Sequence, residues 1–256
     1  MTVIKKNELF LLEEIVKKNF ISKYKDSVLG IFWTILSPIL MMAMFTIIFS
    51  TIFKRNIDNF PVYFLCGWCL FSFFSRGISV AMSSLKSNSN ILKRTPAPKH
   101  VFVLGAVISE FLNFLIMIVI LVCVMIVTHC PFKIIPIICS VIPLISLFVI
   151  IIGLGLVVSI ACVYYSDIQH LWSVVSMMLM YAAAIFYPME IIPEPFRHYL
   201  CLNPIYWCID QFRYFVYQGT FPSILAILNL VLLSIIILVF GIIVFKKYER
   251  KITMKF

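Results

Sequence analysis

The chain has 256 residues, of which 62% are hydrophobic and only 12% charged, with 24 Phe, 11 Tyr and a formal net charge of +10. Soluble domains are roughly half apolar and about 25% charged, so no water-soluble core of this length could bury this composition, and the bilayer is the implied solvent. The basic residues flank apolar runs instead of forming one face, which argues against a nucleic-acid partner and for a topology signal facing anionic lipid.

Residues 1–30 read as a cytoplasmic amphipathic interface helix and turn. Leu9, Leu12, Val16, Phe20 and Tyr24 recur at helical spacing, while Glu13–Lys17 and Glu14–Lys18 form i,i+4 pairs in the favourable order. Such a helix lies in the membrane interface; the plain alternative is a basic leader that only sets topology. Leu29–Gly30 breaks the pattern. No short apolar run followed by a small-residue cleavage site is present in this stretch, so a cleaved leader is not expected.

Residues 31–256 read as a transmembrane domain. A ~30 Å hydrocarbon core takes roughly 20 helical residues, and apolar runs of suitable length fall at about 32–53, 60–85, 101–128, 134–164, 171–188 and 223–245. Six spans put both termini on one side. Fifteen Lys and Arg flank the runs on that side (before the first, between the second and third, and after the last), against five, Lys54, Arg55, Lys133, Arg197 and Arg213, on the other. The positive-inside rule then places both termini in the cytoplasm. The segment 189–222 mixes apolar, aromatic and Pro residues, and its run 205–217 is too short and polar to span. It reads as a helix pair dipping into the outer leaflet against protein or water.

Arg76 and Glu110 fall inside spans, where charge is costly. Each lies about nine residues from the cytoplasmic end of its run, so the two share a depth. A salt bridge or shared polar cavity is one reading; separate snorkelling or carbonyl contacts is the other. Asp167 and His170 flank a short cytoplasmic turn. Two ligands make a poor metal site, and a helix N-cap at Asp167 with a cytoplasmic partner contact is the favoured reading; no metal is expected. Cys66-Gly67-Trp68-Cys69 has the spacing of a redox pair but lies in an apolar run, where Cys packs as a small apolar residue. Cys201 and Cys208 face the outer side, and their pairing is open.

The sequence lacks G-x-x-x-x-G-K-[ST], G-x-S-x-G and H-E-x-x-H. There is no intramembrane acid–base chain of the kind ion-coupled carriers use. These absences point to transport energised by a second polypeptide.

Several segments in order along the chain resemble one family. They are Lys23-Tyr-Lys-Asp-Ser-Val-Leu-Gly30 with Trp33 and Ser37-Pro38, then Asn88-Ser-Asn90-Ile-Leu-Lys93-Arg94 with Pro98, and Tyr165-Ser-Asp167-Ile-Gln-His170. Tyr187-Pro188, Ile192-Pro193, Leu202-Asn203-Pro204 and Phe212-Arg213 follow. Together they resemble type-2 ABC exporter permeases of the polysaccharide group (O-antigen, capsule, teichoic acid). Ala97, where the family often has an aromatic, and Ala183-Ala184, where it often has Ser-Pro, depart from the pattern and leave loop details open.

The resemblance implies an all-α integral membrane fold with six transmembrane helices, an N-terminal amphipathic interface helix and outer re-entrant helices. It implies a permease subunit in the cytoplasmic (inner) membrane, multi-pass, that is not itself an enzyme. A homodimer would dock two copies of a separate nucleotide-binding ATPase, which would hold ATP and Mg, this chain holding no cofactor. The cargo would be a lipid-linked polysaccharide; the same fold exporting a drug or small lipid is the alternative, and a membrane enzyme acting on lipid-linked sugars is less favoured because no convergent acids or His are found. ATPase coupling would fall to Asn88, Asn90, Lys93, Arg94, Pro98, Asp167 and His170. Tyr24, Leu29 and Gly30 would border the portal for the lipid and polymer. Phe32, Trp33, Tyr63, Phe186, Tyr187, Tyr206 and Trp207 are channel-lining candidates, with an ordinary interfacial aromatic belt as the alternative.

Overall fold

The structure is a computed structural model that describes residues 2–25, 30–49, 57–95 and 97–252. Among the described residues it is helical throughout, with no strand. Eleven α-helices follow one another: α1 Thr2–Tyr24, α2 Gly30–Ile47, α3 Phe60–Ser87, α4 Ser89–Arg94, α5 Lys99–Val127, α6 Ile134–Cys139, α7 Val141–Tyr164, α8 Ile168–Tyr181, α9 Glu194–Cys201, α10 Pro204–Val216 and α11 Ile224–Ile252. A 3₁₀ turn, Met189–Ile191, precedes α9.

Among the described residues, four helical stretches are long and apolar enough to cross a bilayer: α3, α5, Ile134–Tyr164 (α6 with α7) and Ile224–Glu249 of α11. The remaining two predicted spans are only partly matched. In the first, the apolar helix runs Phe32–Ile47, and residues 50–56 lie outside the described part. In the fifth, expected at 171–188, α8 stops after 14 residues, about 21 Å at 1.5 Å per residue and short of a ~30 Å core. Ala182–Tyr187 follow as irregular backbone, with Ala183 to Phe186 all buried. Ala184 takes a left-handed φ of 49°, strained for a residue with a Cβ, and the segment persists because protein encloses it.

The hub is α3, whose most apolar stretch is 72% buried and which packs on α5, α7 and α10. Its sequence is aromatic-rich and almost devoid of charge, so burial on all sides is what its composition demands. The most extensive helix pair is α7 with α11. Inside a bilayer, helices gain by close backbone approach, not by escaping water. A Cβ on Gly241 would sit 2.2 Å from the carbonyl O of Gly153, and one on Gly153 would sit 2.7 Å from the carbonyl O of Ile237. Only glycine permits this crossing.

Polar contacts define the two ends. At one end Lys86 Nζ donates to Ser166 Oγ at 3.0 Å, Lys99 Nζ donates to the carbonyl O of Glu249, and Lys18 Nζ donates to Asn88 Oδ1 at 3.2 Å. These gather α1, α4, the α7–α8 turn and the end of α11. At the other end Asn59 Nδ2 donates to Thr128 Oγ1 at 2.9 Å and the Tyr217 hydroxyl donates to the carbonyl O of Asp58, beside α6, α9 and α10.

Helix α1 begins earlier than the apolar stripe predicts and seats differently. Ile15, outside that stripe, is buried, and a Cβ on Gly105 of α5 would come within 2.7 Å of Ile15 Cγ2. Leu9 is 59% exposed. Leu12, Val16 and Phe20 instead flank an apolar groove against Ile108 and Leu112 of α5.

Candidate functional site

Where α1 crosses α3 and α5, the wall of the bundle turns polar. A cleft of about 440 Å³ is lined by Asn19, Ser22, Ser83, Ser87, Asn88 and Ser109, among others. At its floor Glu110 is 5% exposed and receives Lys23 Nζ at 3.0 Å (Oε2) and 3.3 Å (Oε1). Asn113, one helical turn along α5, donates Nδ2 to Glu110 Oε2 at 3.1 Å, and its Oδ1 accepts from the Tyr24 hydroxyl. Tyr24 also meets Thr34 Oγ1 of α2 at 3.2 Å. One polar chain therefore joins α1, α5 and α2. A buried carboxylate needs compensation, and the structure supplies it from α1.

Of the two readings left open for Arg76 and Glu110, the direct pair is not the one the structure shows. Arg76 is exposed, and the ion pair that Glu110 makes among the described residues is to Lys23. With Arg76 exposed and Glu110 buried, the two side chains sit in different surroundings. Lys23 was read from the sequence only as a topology charge. The signal that could have revealed it is Glu110-x-x-Asn113, two polar groups on one face of an otherwise apolar helix, which demand a donor from a neighbour.

The proposed coupling residues divide into two groups. Asn90, Lys93 and Arg94 on α4 are exposed, with Leu92 buried beneath them as the seat of the helix. Asp167 and His170 are exposed at the same end, tied in through the Lys86–Ser166 contact. Asn88, by contrast, is buried: its Nδ2 donates to the carbonyl O of Ser84 at 2.8 Å while its Oδ1 accepts from Lys18. It joins α1 to the α3–α4 junction and presents little surface. Pro98 sits half-buried at the start of α5. Asp167 occupies the N-cap position of α8 but makes no side-chain cap hydrogen bond, contrary to expectation. Among the described residues no three His, Cys, Asp or Glu could hold a metal. Tyr24 is in the network above, Gly30 opens α2, and Leu29 lies outside the described residues.

The aromatic candidates also separate. Phe32 and Trp33 are exposed on α2. Phe186 is core, 4.7 Å from the Phe45 ring centroid and 5.9 Å from that of Phe64. Tyr63 is buried, donates its hydroxyl to the carbonyl O of Tyr187 at 2.9 Å, and carries the guanidinium of Arg213 3.6 Å above its ring. Tyr187 donates to the carbonyl O of Tyr181, and Trp207 Nε1 to that of Cys201 at 2.7 Å, with Tyr206 edge-on beside it.

Arg213, counted in the sequence among the outer-side charges and within the re-entrant run 205–217, is buried within α10. Its Nη1 donates to the carbonyl O of Ala184 at 2.8 Å, and its Nη2 to those of Ile185 at 2.9 Å and Tyr63 at 3.3 Å. It thereby satisfies the carbonyls freed where α8 ends, holding the strained Ala184 in place. The glycine of the Cys66–Cys69 motif makes room for it: a Cβ on Gly67 would lie 2.9 Å from Arg213 Nη2. Cys66, Cys69, Cys201 and Cys208 are all free thiols.

A bundle with several bilayer-length helices, a basic interfacial helix and a polar cleft between them is the build of a multi-pass transport subunit. The ABC-2 type transporter family matches residues 11–217, and the chain belongs to that family. It is 28% identical over 246 residues to an O-antigen export system permease protein of Klebsiella pneumoniae, covering 94% of this chain and 93% of that protein. It is 24% identical to the O-antigen export system permease protein of Myxococcus xanthus, covering 89% and 88%. It is 21% identical to a polysialic acid transport protein of Escherichia coli, covering 87% of each.

Proposed function

We propose that this chain is the membrane subunit of an exporter that carries a lipid-linked polysaccharide across the cytoplasmic membrane, working as a homodimer above two copies of a separate ATPase. The observation that carries this reading is the near full-length similarity to permeases whose names specify O-antigen and polysialic acid. ATP and Mg belong to the partner, and this chain holds no cofactor.

The charge distribution favours cytoplasmic termini. In that orientation α4 with Asn90, Lys93 and Arg94, and the turn with Asp167 and His170, face the ATPase. The α9–α10 pair lies at the outer end as re-entrant helices, and α2 and α8 complete the six crossings, α8 together with its buried extension. Helix α8 keeps one side on α3 through Ser75 Oγ and Ser176 Oγ at 2.6 Å, and leaves Leu171, Val174, Met177 and Met178 exposed. With Phe32 and Trp33 of α2 these offer an apolar, aromatic surface to a second copy and to cargo between the copies. Tyr187, Tyr206 and Trp207 continue the path outward, with Tyr63 and Phe186 packed behind them. Tyr24, Leu29 and Gly30 border the portal, and the Lys23–Glu110–Asn113 cleft behind Tyr24 gives a head group polar partners.

Deletion of the gene, followed by extraction of lipid-linked glycan, tests the reading. Undecaprenyl-linked polymer should be retained inside the cell and disappear on complementation. A deletion strain with normal surface glycan and no retained intermediate overturns it.

A further inference from the structure

The polar cleft between α1, α3 and α5 discriminates among ligands by the hydrogen-bonding groups it has left to offer. Its volume, about 440 Å³, falls within the ~300–1,000 Å³ of small-molecule sites. Among the described residues that line it, the charged groups are Lys23 and Glu110, and these pair with each other.

The wall formed by α3 and α5 has already used its protons. Ser84 Oγ donates to the carbonyl O of Ala81 at 2.7 Å, Ser87 Oγ to that of Ser84 at 3.2 Å, and Ser109 Oγ to that of Ala106 at 2.7 Å. Ser83 Oγ lies 3.2 Å from the carbonyl O of Val80 and 3.3 Å from that of Ser79. A hydroxyl has one proton and two lone pairs, so these serines have acceptor capacity left. The amides are spent in the same way. Asn113 Nδ2 donates to the carbonyl O of Ser109 at 3.2 Å and to Glu110 Oε2 at 3.1 Å. Asn88 Nδ2 donates to the carbonyl O of Ser84 at 2.8 Å and to Ser87 Oγ at 3.3 Å. The α1 side differs. Lys23 is a donor, and the side chains of Asn19 and Ser22 make no hydrogen bond among the described residues, so their N–H and O–H groups remain for a ligand.

Three ligand classes separate on this pattern. Pyrophosphate offers acceptors alone; it finds donors on α1 but meets lone pairs and the Glu110 carboxylate across the cleft. An ammonium offers donors alone; it suits α3 and α5 but stands against Lys23. A sugar hydroxyl donates and accepts at once, so a pyranose can span the cleft, donating to Ser83, Ser84 and Ser109 while accepting from Asn19 and Ser22.

We infer that this cleft is a subsite for an uncharged sugar unit and excludes phosphate. The inference rests on the export reading and deepens it by assigning the cleft to the sugar part of a lipid-linked head group.

The test uses the full chain in nanodiscs of phosphatidylcholine, whose headgroup carries no hydroxyl. The probes are maltotetraose, N,N′-diacetylchitobiose and inorganic pyrophosphate, followed by saturation-transfer NMR for the sugars and phosphorus line broadening for pyrophosphate. At least one sugar should bind roughly tenfold or more tightly than pyrophosphate, whose oxygens would be desolvated against acceptors. Ser83→Ala with Ser109→Ala removes two acceptors, and alanine suits both helices, so the chain should fold as the parent does. The sugar should weaken about tenfold, as the loss of two neutral hydrogen bonds allows. Glu110→Gln removes the carboxylate and leaves Lys23 unpaired, so pyrophosphate should gain about tenfold. Pyrophosphate that matches both sugars in the parent, no binding by either sugar, a double-serine variant that binds sugar like the parent, or unchanged pyrophosphate binding in Glu110→Gln overturns the inference. If neither sugar binds while the deletion strain still retains lipid-linked glycan, the subsite fails and the export reading stands. If the deletion strain exports normally, the export reading fails whatever the titrations give.

Discussion

Reversing the charge of Glu110 discriminates between the partner expected from depth alone and the one the fold supplies. Glu110→Lys would place two ammonium groups where the present N···O separation is 3.0 Å. At an effective dielectric of about 20, two unit charges at that distance interact by about 5 kcal/mol before desolvation. Lys23 is 36% exposed and can swing away, so the net penalty is smaller, about 2 kcal/mol, or roughly thirtyfold in a folding or docking equilibrium. Lys23→Glu in the same chain re-forms the pair with its ends exchanged and should recover most of that loss; Arg76→Glu should recover none. Thermal unfolding of the exporter complex in nanodiscs reads stability, and surface glycan in a complemented deletion strain reads function. Rescue by Arg76→Glu, or failure of Lys23→Glu to rescue, would refute the assignment of the pair.

The glycine crossing gives a second test: Gly241→Val forces α7 and α11 apart, since even a Cβ would lie 2.2 Å from a backbone oxygen that cannot rotate aside, and the yield of folded protein on membrane extraction should fall severalfold. Gly67→Ala pushes on Arg213 Nη2 from 2.9 Å and should cost about 2 kcal/mol through the weakened contacts of a buried cation, read as a lowered unfolding midpoint, with no change in redox sensitivity. Lys93→Glu with Arg94→Glu alters two exposed residues, so the chain should fold normally while ATP-driven glycan export drops at least tenfold; wild-type export would remove α4 from the coupling contact.

The helical, membrane-embedded character was legible because composition leaves no other solvent, and the four bilayer-length stretches among the described residues fall on or close to the runs that hydropathy marks: α3, α5, Ile134–Tyr164 and α11. Within Ile134–Tyr164 a turn at Ser140, between Pro136 and Pro143, divides α6 from α7. The fifth run was misjudged for a physical reason. Ala182–Tyr187 is as apolar as a helix, and nothing local shows that an arginine 29 residues away donates to the carbonyls there. Charge counting separates Arg213 from Lys23 but misses that each is a long-range partner, because a tally of flanking charges ignores direction. The seat of α1 falls on Ile15, outside the apolar stripe, because the helix packs on protein at Gly105, a neighbour 90 residues on. Exposure on α4, at Asp167 and at His170 followed from polarity alone.

The way α1 is held bears on how a push on α4 reaches the membrane. The helix touches the bundle at three levels: Ile15 on Gly105, Lys18 on Asn88 and Lys23 on Glu110. The polar anchors lie five residues apart, about 7.5 Å along the axis, one at the α3–α4 junction and the other beside Tyr24 and α2. Hydrogen bonds of 3.0–3.2 Å weaken steeply beyond ~3.5 Å, so a lift of about half an ångström at the seat strains both together. Gly105→Val produces that lift, since even a Cβ there lies 2.7 Å from Ile15 Cγ2. The variant should loosen α1 although every charged group remains. A spin label at exposed Glu14 should become markedly more mobile, to a degree similar to that in Glu110→Lys. A Gly105→Val chain whose Glu14 label stays as immobile as in the parent would show that the two lysines hold α1 without the apolar seat, and the three-level attachment would then be wrong.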